Sequence, residues 1–319
     1  MFQTSAWATF LQESRRGEPV FVRWVDASGK LAALAVGLIR SPVKSRLGRA
    51  ALTLAFDAPP AIAHGASTPR IEPLAAWARR EGVIALHLGS FDCGGRPWCG
   101  NLRDYEERIE FVATPGDEHE LWRRMRKGTR SAIRRAERLG VDVEAVGNDH
   151  VAQFVLLFAS TLERLRRDKG VAIGEVDAKT FGAGLEGLLA ARRGRLYLAR
   201  LGDEDVGGCF FGVEGRSAYY LFNGSNATAR EVGAMPLMLL RAMSDFSEEG
   251  IDRINLGGVP ASASDPSSPD HGLYAFKLGL GAEPVICRGG RIPLRRIRLT
   301  LLDFARTVRA KGVLTRAVL

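Results

Sequence analysis

The sequence predicts an α/β (α+β) protein in which one unit, a hairpin, a further strand, a helix and a strand, occurs twice. That makes two tandem domains with central mixed sheets flanked by helices. Two observations carry the reading. EGVIALHLG (81–89), after the helical PLAAWARR, matches EGIDRINLG (249–257), after PLMLLRAMSDFSE, in its Glu, Gly, last Leu and closing Gly. FVRWVDASGKLAALAVGLI (21–39) and YLARLGDEDVGGCFFGV (197–213) each read as strand, tight polar turn and strand. Two matches in the same order at similar offsets are the mark of a duplicated unit.

Each element has a local reason. After the first hairpin, PLAAWARR is amphipathic, Gly82 is a helix-ending glycine, and an apolar strand follows. Between the halves, DEHELWRRMRKGTRSAIRRAERLGVDVEAV reads as two helices, one ending at Gly128 and the next, capped by Thr129, ending at Gly140. The strand VDVEAV then opens the second half. Near its end, Ser268-Pro269 is a helix start and Gly279 a helix stop, predicting a helix over 269–278. After Pro293, RIPLRRIRLTLLDFARTVRAKGVL reads as a basic amphipathic helix. The expected domains are 1–140, 141–290 and a basic C-terminal helix over 291–319.

Composition bounds the function. The 319 residues are 46% hydrophobic and 25% charged, as in a globular protein with an ample core. No apolar run approaches the ~18 residues of a membrane-spanning helix. The opening MFQTSAWATFLQESRRGEP lacks a basic leader, apolar block and small-residue cleavage site, so a cytoplasmic protein without signal peptide is expected. Cys93, Cys99, Cys209 and Cys287 have no CxxC spacing. Cys93 and Cys99 with His87 could surround a metal, but reduced thiols without metal are the better reading. Walker, HExxH and GxSxG motifs are absent, which removes support for nucleotide hydrolysis, zincin chemistry and the common serine-hydrolase layout. A net charge of +9 favours polyanionic partners: RNA, phosphorylated substrates or an anionic membrane surface.

Four stretches extend the pattern to a family: QTSAWATF near the start, KGTRSAIRRAERLGVDV leading into the second half, YYLFNGSN, and GLYAFKLGLGAEP. With the repeated unit, they resemble the GNAT acyltransferase fold, and in tandem the FemAB-type (peptidoglycan bridge) aminoacyltransferases. The likeness spans nearly the whole chain. It implies transfer of an aminoacyl group from aminoacyl-tRNA to an amine acceptor, most simply a cell-wall (peptidoglycan) precursor peptide that is lipid-linked or nucleotide-linked. No tightly bound cofactor is implied. Related GNAT proteins use acetyl-CoA, so an acyl-CoA-dependent N-acetyltransferase is the alternative. A non-catalytic RNA- or membrane-surface-binding protein on a decayed GNAT fold is a third.

Lys277 is the first catalytic candidate. The resemblance implies that it meets charge at the transfer site, while its place at a helix end is equally what the helix dipole favours on a surface. Tyr274 shares its helix face at i, i+3. In the preceding loop GVPASASDPSSPD, Asp265 and Asp270 are acid/base or amine-binding candidates, Asp270 doubling as a helix cap, and His271 is a proton-transfer candidate. Tyr219, Tyr220 and Asn223 lie on one strand, where adjacent tyrosines face opposite sides, so one at most lines a cleft. The resemblance implies that these residues bind the precursor.

TAREVGAMPLMLL tests the CoA alternative. Arg230, Gly233 and Ala234 fit the start of a pyrophosphate-binding helix N-terminus, but Met235 fills the final small position and Pro236 removes a backbone donor. PRIEPLAAW, the matching place in the first half, has no such motif, so that half is expected to be structural or to serve the acceptor. Arg123, Lys127, Arg130, Arg134 and Arg138, spaced by three or four, could form one phosphate-binding stripe opposite Trp122, Met125, Ile133 and Ala136. Arg295, Arg296, Arg298 and Arg306 could touch tRNA or anionic lipid at the inner face of the membrane.

Overall fold

The computed structural model describes residues 1–15, 17–41, 51–92, 98, 105–169 and 176–304. The expectations placed on Cys93, Cys99, Arg306 and the end of the C-terminal helix lie outside these residues. In chain order the elements are α1 (Ser5–Arg15), β1 (Glu18–Val25), β2 (Leu31–Arg40), β3 (Thr53–Phe56), β4 (Ala61–Ile62), α2 (Glu72–Arg80), β5 (Ala85–Leu88) and β6 (Tyr105–Ala113). Then follow α3 (Glu118–Arg124), α4 (Lys127–Arg138), β7 (Val141–Val146), α5 (Val151–Lys169), α6 (Ala178–Ala190), β8 (Gly194–Leu201), β9 (Glu204–Glu214) and β10 (Ser217–Ser225). Last come α7 (Ala227–Val232), α8 (Ala234–Glu248), β11 (Arg253–Pro260), α9 (His271–Gly279), β12 (Glu283–Pro293) and a helix over 296–304, here α10.

The repeated unit is visible as topology. In the first copy β1 and β2 pair antiparallel, β2 and β3 antiparallel, and β3 and β5 parallel across α2. In the second, β8–β9 and β9–β10 are antiparallel, and β10–β11 parallel across α7 and α8. The helix ends also correspond. Gly82 and Gly250 are left-handed, with φ of 81° and 76°. The next amide closes back to the carbonyl five residues earlier in both, Val83 N–H to Ala78 O and Ile251 N–H to Phe246 O, each 2.9 Å. Only glycine takes that conformation without Cβ strain, so the shared Glu-Gly of the two sequence copies is a shared helix stop.

The compact units divide the chain differently from the expected 1–140 and 141–290. One holds Phe2–Glu106 with Arg288–Leu319, the other Glu107–Cys287 with Met1. The basic segment belongs with the second copy because Leu121, Met125, Ile133 and Ala136 are buried in one core with Leu237, Met238 and Phe246 of α8. Each of the larger side chains, Leu121, Met125 and Ile133, contributes ~1.5–3 kcal/mol on burial, so the apolar face of the segment fixes its allegiance. The chain's end belongs with the first copy: Gly290–Pro293 of β12 pair with Leu88–Ala85 of β5.

In the second unit the strands run in the order β6-β11-β10-β9-β8-β7. Helices α3, α4, α7 and α8 cover one face. On the other, Phe154 of α5 meets Phe210, while Phe158 of α5 and Phe181 of α6 meet Phe222 edge-on. In the first unit Leu74 and Ala78 of α2 pack with Leu54, Phe56, Leu86 and Leu88.

The two central helices break earlier than at Gly128. Asp117 caps α3 by accepting from Glu120 N–H at 2.8 Å, and Met125 and Arg126 are extended, with ψ of 145° and 155°. Gly128 and Thr129 sit inside the first turn of α4. The break falls there because Arg126 N–H bonds outside its own helix, to Gly279 O at 2.9 Å.

Candidate functional site

The site is built where β11 leaves its neighbours. Its parallel pairing with β10 covers only Ser217–Tyr219 against Arg253–Asn255, and its antiparallel register with β6 slips between Asn255 and Gly258. Gly257 is left-handed within the slip, at φ 73°. Asn255, fully buried, stabilises the bulge: its Oδ1 accepts from Gly257 N–H at 2.8 Å. Its Nδ2 donates to Glu110 Oε2 at 2.7 Å, and the Arg108 Nε lies 3.4 Å from Glu110 Oε1. Glu110 is only 1% exposed, so this β6 carboxylate is a buried anion held by an amide and a guanidinium.

Lys277 projects from α9 into the same corner and is 5% exposed. Its Nζ donates to Gly258 O at 3.5 Å, lies 5.6 Å from the centre of the Phe111 ring, and is 3.6 Å from the point a Cβ would occupy on Gly257. The Tyr220 carbonyl oxygen is 3.6 Å from that point too. The lysine nitrogen thus stands where β10 and β11 part. Burial first, and the Arg108 charge second, lower its pKa from 10.5 to about 7, with Glu110 pulling the other way. The helix-dipole reading, a solvated lysine at a helix end, does not describe this side chain.

One consequence can be measured. Glu110→Gln removes the charge that favours the ammonium, so the Lys277 midpoint drops below about 7. An NMR titration of the lysine Cε resonance reads this shift, and an unchanged or higher midpoint would contradict the placement.

The other expected residues fall into four groups. Tyr274 joins Lys277 at Phe111, its ring edge-on at 5.3 Å and 75°. His271 stacks on Tyr274 at 5.9 Å, while its Nδ1 lies 3.0 Å from Ala263 O, a bond that ties α9 to the preceding loop. Asp270 stands at the N-cap of α9 without a side-chain cap bond, and Asp265 accepts from Ser267 N–H and Oγ, both at 2.8 Å. Those bonds, the backbone one first, hold the Asp265 carboxyl below its ordinary range and make it a poor proton acceptor near neutrality. The helix is His271–Gly279 rather than 269–278.

The tyrosines do face opposite sides. Tyr220 packs on Phe211 at 5.3 Å beside the core that carries Phe111, and Tyr219 is buried on the other side. Burial pushes the Tyr220 hydroxyl well above its ordinary pKa, and its hydrogen bond with Asn223 acts in the opposite sense.

Arg230 is exposed on α7, its carbonyl 3.5 Å from an Arg135 guanidinium nitrogen. Gly233 is the left-handed junction of α7 and α8, at φ 82°, and a Cβ there would lie 2.6 Å from Ala132 O of α4. The start of α8 is therefore covered by α4. The Met235 sulfur lies 3.5 Å from the Cβ point of Gly207 on β9.

Along α4, Lys127, Arg134 and Arg138 are exposed and Arg130 half-buried, with Arg123 exposed on α3. Arg134 lies over the Trp122 ring at 5.1 Å. Ser131, Arg134, Glu137 and Arg138 line a shallow open depression. The extended residues at 125–126 divide the stripe, so Arg123 stands apart from the other four. Among the described residues no group of His, Cys, Asp and Glu is placed to hold a metal, and no helix is long and apolar enough to cross a membrane.

Sequence reading missed Asn255, Glu110 and Arg108. A signal existed: Asn255 and Glu110 are each a polar residue between apolar ones on a strand, INL and IEF, and a buried polar group needs a partner.

Residues 123–277 match the family model described as "Acetyltransferase (GNAT) domain", which takes in α4 and Lys277. A sequence search of curated proteins found no match. Among solved structures, FemX is similar at a TM-score of 0.66 and 16% identity, covering 95% of this chain and 94% of FemX. L-PGS from Bacillus licheniformis is similar at 0.50 and 15%, covering 93% and 94%. A conserved protein from Bacteroides thetaiotaomicron is similar at 0.58 and 11%, covering 90% and 89%. With its repeated strand order, the chain carries a GNAT-domain match over residues 123–277 and shares the fold of FemX over nearly its whole length.

Proposed function

We propose that the chain is an aminoacyltransferase moving an aminoacyl group from aminoacyl-tRNA to an amine, with a cell-wall peptide as acceptor. The observation that carries this is the bond between the basic helix and the lysine helix. Arg126 N–H, at the start of α4, donates to Gly279 O at the end of α9 at 2.9 Å. Thr129 Oγ1 lies 2.5 Å from the Cβ point of Gly279. A polyanion held along Lys127, Arg130, Arg134 and Arg138 is thus bound on the element adjoining Lys277.

The chemistry asks little else of the protein. The amine nitrogen attacks the ester carbonyl carbon, and a tetrahedral oxyanion forms. The bond to the ribose oxygen then breaks as the amide forms, and the proton released by the amine ends on that oxygen. The ester is already activated, so positioning and charge stabilisation suffice. Lys277 in its charged form would offset the oxyanion, and Tyr220 and Tyr274 would border the acceptor.

The acyl-CoA reading is weakened by the start of α8. A pyrophosphate needs open backbone N–H groups there, and the Ala132 carbonyl of α4 stands against that turn, 2.6 Å from the Cβ point of Gly233. A non-catalytic RNA-binding role would leave the cost of burying Lys277 without a purpose.

tRNA binding tests the donor. Replacing Lys127, Arg130, Arg134 and Arg138 by Gln is expected to lower affinity for tRNA and flatten the slope of log K against log salt by about 3. An unchanged slope would remove α4 from the donor site.

A further inference from the structure

Helix α10 has two apolar faces. Leu299 and Leu302 pack with Ala51, Ile84 and Ala85. On the opposite side Ile297, Leu301 and Phe304 are 80%, 63% and 69% exposed. At ~100° per residue these three fall within about 60° of one another, and Arg296 and Arg298 stand about 100° to either side of Ile297. Both arginines are exposed. Asp303, the acidic residue of the helix, is paired with Arg291 at 3.0 Å. An outward stripe of large apolar side chains is thus bracketed by cations whose own acid is neutralised.

We propose that the outer face of α10 seats on an anionic lipid surface, with Ile297, Leu301 and Phe304 entering the acyl boundary and Arg296 and Arg298 reaching lipid phosphates. The pairing of features selects this partner. RNA would satisfy the arginines but offers nothing to three exposed apolar side chains, whereas a headgroup layer over acyl chains takes both. An apolar protein partner would leave the bracketing charges idle. The surface belongs to the first unit alone and does not depend on the transfer chemistry, so it stands or falls separately from the proposed donor.

The whole chain is mixed with vesicles of phosphatidylcholine alone and of phosphatidylcholine with phosphatidylglycerol, and sedimented. Binding to the anionic vesicles, weakened by salt, is expected. The triple variant Ile297→Ser, Leu301→Ser, Phe304→Ser should lose about tenfold or more in partitioning, with unchanged circular dichroism and melting. Arg296→Gln with Arg298→Gln should abolish the preference for phosphatidylglycerol while leaving the fold intact. Absence of wild-type binding, or equal binding by the triple variant, overturns the proposal. So does a wild-type dimer that the triple variant dissociates without any vesicle binding, since a second copy would then cover the stripe.

Discussion

Lys277→Met is expected to be more stable than the wild-type chain and to have lost transfer activity. The stability follows from burial. The lysine pKa is about 7 in the fold against 10.5 for a solvated lysine. Between those values the unfolded chain binds the extra proton, so stability rises with pH across that window, and below about 7 the full cost of the buried cation is present. Methionine keeps the length of the side chain without the charge. A gain on the order of 2–4 kcal/mol at neutral pH is expected, shrinking as the pH approaches 10.5. The activity loss should be about 10²–10³-fold, the usual cost of removing one group that offsets an oxyanion. A residue that costs stability and serves catalysis gives this opposed pair of changes. Thermal melts across pH, read beside single-turnover rates, separate it from a structural lysine. Loss of stability together with loss of activity would mark Lys277 as packing.

Asn255→Leu should be the most damaging single change near the site. It removes the donor to Glu110 and the acceptor for Gly257 N–H together, leaving a buried carboxylate and a buried amide short of partners. A loss of about 3–5 kcal/mol is expected. Chemical denaturation measures it, and a loss below about 1 kcal/mol would mean that the bulge holds without Asn255. Asn255→Asp is the informative companion. It restores the acceptor but sets two carboxylates side by side, so at least one pKa is raised and the variant should lose stability as pH rises through that value.

The comparison of sequence with structure turns on distance along the chain. The Glu-Gly pairs at 81–82 and 249–250 were legible because a helix stop is local, and the hairpins were legible for the same reason. A break between α3 and α4 was legible in Gly128, but its place at 125–126 was not, since there Arg126 N–H bonds to a carbonyl at Gly279. The boundary expected at 140 placed the basic segment by its position in the chain, whereas its apolar face chose α8. Lys277 was marked by its motif, yet a short helix with apolar residues all round does not say which face is buried. Its neighbours Glu110 and Asn255 come from strands 145 positions apart, a pairing that no local pattern contains.

The most direct test of the proposed chemistry is a transfer assay with two donors. Purified protein is given labelled aminoacyl-tRNA or labelled acetyl-CoA with a panel of cell-wall peptides and small amines, and half of each mixture receives RNase beforehand. Label appearing on an amine from aminoacyl-tRNA, abolished by RNase and by Lys277→Met, is the expected result. Label that requires acetyl-CoA and survives RNase would contradict it.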